Sequence, residues 1–267
     1  MPEGHTIHRL AREHTHALAG HVLHVWSPQG RHALVAAALD QHRLEHVDAH
    51  GKHLFYHWQD APILHIHLGL FGSFRESASG SSPPRPSAQL RIEGPSITIE
   101  LIGATTCELV DDVRRDQILD RLGPDLLADD AEPERAWQRL RRRSAPIATA
   151  LLDQQLMSGV GNVYRLEALF VNGIHPERPA NSLSRVEFDG LWETLRSMLR
   201  QGVEDRRIVT VHPSERAAVM GANGVESVPP EDAFYVYQQH RCRRCGGPIR
   251  AWRLGVRPAY ACERCQR

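Results

Sequence analysis

Ile7, Leu10, His14 and Leu18 recur at helical spacing near the start of the chain, and Gly20 follows them. The spacing predicts an amphipathic helix within residues 2–20, ended by the glycine. From His21 to about Val110 the period changes. Short apolar runs (HVLHVW, KHLFYHW, PILHIHLGLF, AQLRI, SITIEL) alternate or cluster between Gly, Pro and Ser turns. This predicts an antiparallel sheet domain of sandwich type. Residues 77–87, SASGSSPPRPS, read as a flexible hairpin loop. The acidic, Pro-containing stretch 125–134 reads as a linker. Helical patterns then follow in ERAWQRLRRR, PIATALLDQQL, NVYRLEALFVNG and SRVEFDGLWETLRSMLRQGV. Residues 208–232 show no clear period and read as a mobile loop, and no internal repeat is visible.

At 267 residues, 41% apolar and 24% charged, the chain can bury real cores, which excludes disorder and collagen-like structure. No apolar run is long enough to span a membrane, and no secretory start is seen, so a cytoplasmic setting is expected. Acids and bases balance at 32 each, but not evenly. Residues 1–128 carry 11 bases and 15 acids, residues 129–204 carry 10 and 11, and residues 205–267 carry 11 and 6. The chain therefore ends in a basic module, the pattern of a polyanion contact. All the bases are Arg except Lys52. Unlike Arg, Lys can act as acid, base or amine nucleophile.

Four of the five cysteines read Cys242-x2-Cys245-x16-Cys262-x2-Cys265. Two facing knuckles supply four thiolates, enough for one closed, structural Zn2+ per chain. Two disulfides are the other use of four cysteines, and the missing secretory start favours the metal. Cys107 is expected in the sheet core. The hairpin from Gly247 to Tyr260 would carry Arg250, Arg253 and Arg257, a set suited to phosphate contact. At the other terminus, loss of Met1 would free the secondary amine of Pro2. An α-amino group titrates near pH ~8, so part of it is nucleophilic at neutral pH. Glu3 beside it could protonate a departing oxygen. Many chains start Met-Pro only because Pro opens a helix. In LLDQQLMSGVGNVY, residues 151–164, a helix is expected to end near Met157. Ser158 to Gly161 make a double turn, and a second helix starts at Asn162 with free N–H groups for a phosphate.

Taken in order, these segments resemble the formamidopyrimidine-DNA glycosylase and endonuclease VIII family. The resemblance covers MPEG, GKHLF (51–55), HIHLGLFGSF (65–74), RLGPD (121–125), LLDQQLMSGVGNVYRLEALF (151–170) and the cysteine module with RPAYAC. It implies an α+β fold: an N-terminal β-sandwich with flanking helices (1–126), a helix–two-turns–helix domain (127–232) and a zinc finger (233–267). It implies a monomeric, bifunctional DNA glycosylase and AP lyase of base-excision repair, acting on damaged double-stranded DNA without a nucleotide cofactor. On that resemblance Pro2 is the nucleophile at C1′ and Glu3 assists ring opening. Lys52 is a proton donor and phosphate contact, Asn162 binds phosphate, and Arg257 grips the phosphates flanking the flipped nucleotide and assists δ-elimination. Leu70 and Phe71 fill the gap in the duplex, and Arg121 contacts DNA as in the endonuclease VIII branch.

Two departures bear on chemistry and substrate. Thr6 stands where many family members carry Glu, so another group must serve if that Glu tunes proton transfer. The stretch ATTCELVDD has no Arg where the oxidised-purine branch offers an Arg-rich loop. Together with the MPEG start and HLGLFG, this points to the endonuclease VIII branch, especially its actinobacterial members, and to oxidised pyrimidines and abasic sites. A formamidopyrimidine/8-oxoguanine-type glycosylase and a non-catalytic binder of damaged DNA are the competing readings.

Overall fold

The computed structural model describes residues 2–215, 219–220, 226–229 and 232–267, which fall into two compact units, Met1–Arg121 and Leu122–Arg267. In the first, helix α1 (Gly4–Leu18) buries Ile7, Leu10, Ala11, His14 and Leu18. Eight strands follow: β1 (His24–Trp26), β2 (Leu44–His50), β3 (His53–Trp58), β4 (Ala61–His67), β5 (Ser73–Ala78), β6 (Leu90–Glu93), β7 (Ile97–Ile102) and β8 (Thr106–Val110). Helix α2 (Ala33–Leu39) lies between β1 and β2, and α3 (Asp112–Asp120) follows β8. The strands form two antiparallel four-stranded sheets, ordered β1-β6-β7-β5 and β2-β3-β4-β8. Leu54, Tyr56, Leu64 and Ile66 of one sheet share a core with Val25, Leu90, Ile92, Ile99 and Leu101 of the other. Period-two alternation thus yields the expected sandwich, because each sheet has one apolar face to hide. Cys107 sits in that core, where burial pushes its thiol up to about 12.

Residues 77–87 do not make a hairpin. β5 and β6 both pair with β7, one on each side, so their connection crosses over. Polar side chains pin it: the Arg85 N–H donates to Glu100 Oε1 (3.0 Å), and the Arg91 guanidinium donates to the Ser82 carbonyl (3.0 Å). Gly, Ser and Pro mark the turn chemistry but do not say which strands it joins.

The second unit contains α4 (Pro133–Leu140), α5 (Ile147–Ala150), α6 (Asn162–Val171) and α7 (Arg185–Glu204), the last opened by a Ser184–Glu187 capping box. The helix expected over 146–156 stops at Ala150. Asp153 Oδ1 accepts the N–H of Gln155 (2.9 Å), a local bond that competes with helical continuation. Two-residue strands β9 (Val219–Met220) and β10 (Glu226–Ser227) pair antiparallel. The mobile loop expected over 208–232 falls partly on 216–218, 221–225 and 230–231, outside the described residues. β11 (Arg250–Leu254) and β12 (Arg257–Ala261) form the terminal hairpin.

Glu167 of α6 is fully buried. Its Oε1 accepts the N–H groups of Val236 (2.9 Å) and Tyr237 (2.8 Å). Its Oε2 accepts that of Tyr235 (2.7 Å) and the Thr210 hydroxyl. Burial raises this carboxyl against four hydrogen bonds that favour its ionised form. Since donors surround both oxygens, Glu167→Gln must turn an NH2 toward other donors. It is expected to lower the stability of the second unit by about 2–3 kcal/mol, read as an earlier urea unfolding transition.

Candidate active site and phosphate-binding groups

α1 runs antiparallel to β2. The Gly20 N–H donates to the Leu44 carbonyl (2.8 Å). The Thr15 hydroxyl donates to the Val47 carbonyl (2.9 Å) and accepts the Val47 N–H (2.8 Å). From Thr15 back to Glu3 is roughly 18 Å of helix, and from Val47 on to Lys52 roughly 17 Å of strand. The start of α1 and the end of β2 therefore lie at the same end of the sandwich. Pro2 is half-buried there, and Glu3, the N-cap of α1, is wholly buried, where the helix dipole favours its negative charge.

Lys52 occupies the two-residue turn between β2 and β3, closed by the His50–His53 pair. Gly51 takes φ +57° while Lys52 stays out of the left-handed region, as in a type II′ hairpin turn with Gly at its first central position. β4 ends at His67, which pairs with His53, so the loop after it starts from the same end. That loop exposes Leu70 (40%) and Phe71 (87%) to solvent. Arg121 is exposed at the C-cap of α3, which leaves β8 from the opposite end of the sheet.

The surroundings of Lys52 and Glu3 are rich in neutral imidazole. Burial, then the neighbouring His67, pushes His53 down to about 3, and burial also lowers His65 and His67. A hydrogen-bonded line runs from Glu108 through His65 (3.0 Å) to His53 (2.9 Å). His5 is likewise held down, to about 3, first by burial and then by Arg9. Its Nε2 lies 3.1 Å from the Thr6 hydroxyl. Thr6 therefore has a neutral imidazole beside it.

In the second unit the double turn is tied by Gln154. Its Nε2 donates to the Val160 carbonyl (3.0 Å) and its Oε1 accepts the Gly159 N–H (3.0 Å). Asn162 opens α6 and is buried. Its Oδ1 accepts from Arg165 Nε (3.1 Å) and Nη2 (2.7 Å), which leaves the amide N–H groups as the donors it can offer an anion. Arg165 is itself wholly buried and also donates to the carbonyls of Ala148 (2.6 Å) and Pro258 (3.2 Å). Pro258 follows Arg257, so one guanidinium sets Asn162 and the start of β12 together. The sequence reading missed Arg165; an Arg three residues after the start of the second helix was its only trace. Arg257 begins β12 after the turn at Gly255 (φ +62°) and Val256. Arg250 is already engaged, stacked 4.5 Å over Trp252 and bonded to Glu263 (3.1 Å).

The four cysteine sulfurs lie within 4.8 Å of one another. Sγ of Cys242 and Cys265 are 3.8 Å apart, and those of Cys245 and Cys262 are 3.5 Å apart. Four sulfurs about 2.3 Å from a tetrahedral ion stand about 3.8 Å apart, so the donor set fits a metal ion.

Residues 1–115 match the formamidopyrimidine-DNA glycosylase N-terminal domain and residues 122–213 the formamidopyrimidine-DNA glycosylase H2TH domain. Endonuclease 8 1 of Mycobacterium tuberculosis is 41% identical over 273 residues, covering all of both chains. The chain belongs to the formamidopyrimidine-DNA glycosylase and endonuclease VIII family. A formamidopyrimidine-DNA glycosylase of Herpetosiphon aurantiacus is 31% identical, covering 87% of this chain and 85% of that one. The fold matches Lactococcus lactis Fpg in complex with DNA containing an abasic site, with a TM-score of 0.82 and 21% identity over 99% of each chain. Among the described residues no helix is long and apolar enough to cross a membrane.

Cys262→Ser removes one of four thiolates. The Co2+-loaded variant is expected to lose most of its sulfur-to-metal charge-transfer absorption. An unchanged spectrum would exclude Cys262 as a ligand.

Proposed function

We propose that the chain is a bifunctional DNA glycosylase and AP lyase acting on oxidised bases and abasic sites in duplex DNA. The observation that carries this reading is the gathering of Pro2, Glu3, Lys52 and the exposed Leu70–Phe71 loop at one end of the sandwich. A flipped-out nucleotide leaves a gap that exposed apolar side chains can fill, which gives the exposure of Phe71 a use.

With Met1 removed, the Pro2 nitrogen attacks C1′ and the base departs with the electron pair of the glycosidic bond and a proton. Glu3 takes the proton that the Pro2 nitrogen loses and returns it to the ring oxygen as the C1′–O4′ bond opens, leaving an iminium between C1′ and Pro2. That cation acidifies C2′. Loss of a C2′ proton expels the 3′ phosphate, and a second elimination expels the 5′ phosphate. Lys52 supplies a proton at the lesion. The Asn162 amide and the Arg257 guanidinium hold flanking phosphates, as charge-assisted donors do. Arg121 is a further DNA contact. We read the four thiolates as a closed Zn2+ site that supports the hairpin carrying Arg257 and leaves no position for substrate. The chain acts as a monomer in the cytoplasm and uses no nucleotide cofactor.

Pyrimidine lesions are favoured. The β7–β8 connection is only Gly103, Ala104 and Thr105, with no Arg to place opposite a purine lesion.

Borohydride reduction in the presence of abasic-site DNA is expected to trap a covalent adduct through Pro2. Pro2→Gly should bind the same DNA yet lose most base excision. Intact binding by wild type with no adduct would make the chain a binding module instead. In single-turnover assays thymine glycol should be excised faster than 8-oxoguanine, and the reverse order would move the assignment to the purine branch.

A further inference from the structure

The outer face of the β2-β3-β4-β8 sheet carries a second group of metal-type donors, at the end away from Lys52. His46 and Asp48 stand two residues apart on β2 and so share a face, and His57 of β3 pairs directly with His46. Both strands are irregular here: the β2–β3 register shifts between Leu44 and His46, and the β3–β4 register between Tyr56 and Trp58, across His57. Such bulges re-aim side chains. The two imidazoles are stacked at 4.3 Å, and one donor atom from each of the three residues lies within 4.8 Å of the others.

The decisive atom is Nε2 of His57. It is buried and makes no hydrogen bond, yet it lies 3.3 Å from Oδ2 of Asp48. A charge-assisted N–H···O bond would be shorter and aligned. Two donors about 2.0–2.1 Å from one tetrahedral ion stand about 3.3 Å apart. We propose that His46, Asp48 and His57 form a binding site for a borderline divalent transition metal ion such as Zn2+, distinct from the four-cysteine cluster. Two imidazoles and one carboxylate suit Zn2+, Ni2+ or Cu2+ and disfavour Mg2+ and Ca2+. Three protein ligands leave a coordination position for water. His46 is exposed, so its ring can turn about χ2 to bring a nitrogen in plane with the ion. Arg115 of α3 opposes a cation through its charge near Asp48, but its guanidinium is bonded to Asp116 (2.8 Å) and paired with Asp112 (3.5 Å). Bound there, the ion would cross-link β2 to β3 at the base of the hairpin that presents Lys52.

The test is calorimetric titration of the full-length protein, its cysteine site already loaded with zinc, with Zn2+ alone. Wild type is expected to take up one further equivalent, and its melting temperature to rise with added Zn2+. His46→Asn and, separately, His57→Gln should abolish both responses while borohydride trapping on abasic DNA stays at the wild-type level. Wild type that takes up no further equivalent would overturn the proposal. So would uptake that persists in both variants, since another group would then hold the ion.

Discussion

The guanidinium of Arg165 is the constraint on which the second unit of the chain rests. A cation taken out of water is costly unless its donors are used, and here they are. Its N–H groups reach the Asn162 side chain, α5 at Ala148 and β12 at Pro258. One buried side chain thus ties the short helix, the helix that opens with Asn162 and the hairpin that begins with Arg257. Glu167, two residues further along α6, does the matching task for the segment leading into the cysteine module. The two buried charges stand on one helix and hold different neighbours, so α6 is where the second unit is assembled.

In the first unit the equivalent constraint is the direction of α1 against β2. Hydrogen bonds at Gly20 and Thr15 fix that direction far from any reactive group. Because of it, Pro2 and a lysine fifty residues later come to one end of the sandwich. Lys52 and Arg257 are each presented by a hairpin whose turn has Gly at its first central position. A two-residue turn leaves little slack, so each side chain is presented at a set place.

Much of this was legible in the sequence, and the gaps have physical causes. Period-two alternation reports which residues face the core, so the sandwich and its inner face followed from it. It does not report which strands pair, so the β5–β6 crossover read as a hairpin. Cysteine spacing carries the ligand geometry almost by itself. The helix over 146–156 was overestimated because Leu151, Leu152 and Leu156 continue the apolar pattern into a turn dictated by Asp153. Arg165 and Glu167 were invisible because a buried charge is recognised by its partners, and those lie up to 93 residues away. The packing of the β2, β3 and β4 histidines on one face follows from the strand register, which the sequence does not state.

Buried histidines on α1 and β3 make the sandwich less stable in acid. His5 and His53 are kept neutral down to about 3, while an unfolded chain would protonate them near 6.5. Their neutral burial is therefore fully compatible with folding above 6.5. Each pH step below that value lets the unfolded chain take up protons the folded one refuses, at about 1.4 kcal/mol per unit for each such ring. Dense imidazole around Lys52 supplies uncharged hydrogen-bonding surface at neutral pH, and the same choice costs the sandwich stability in acid.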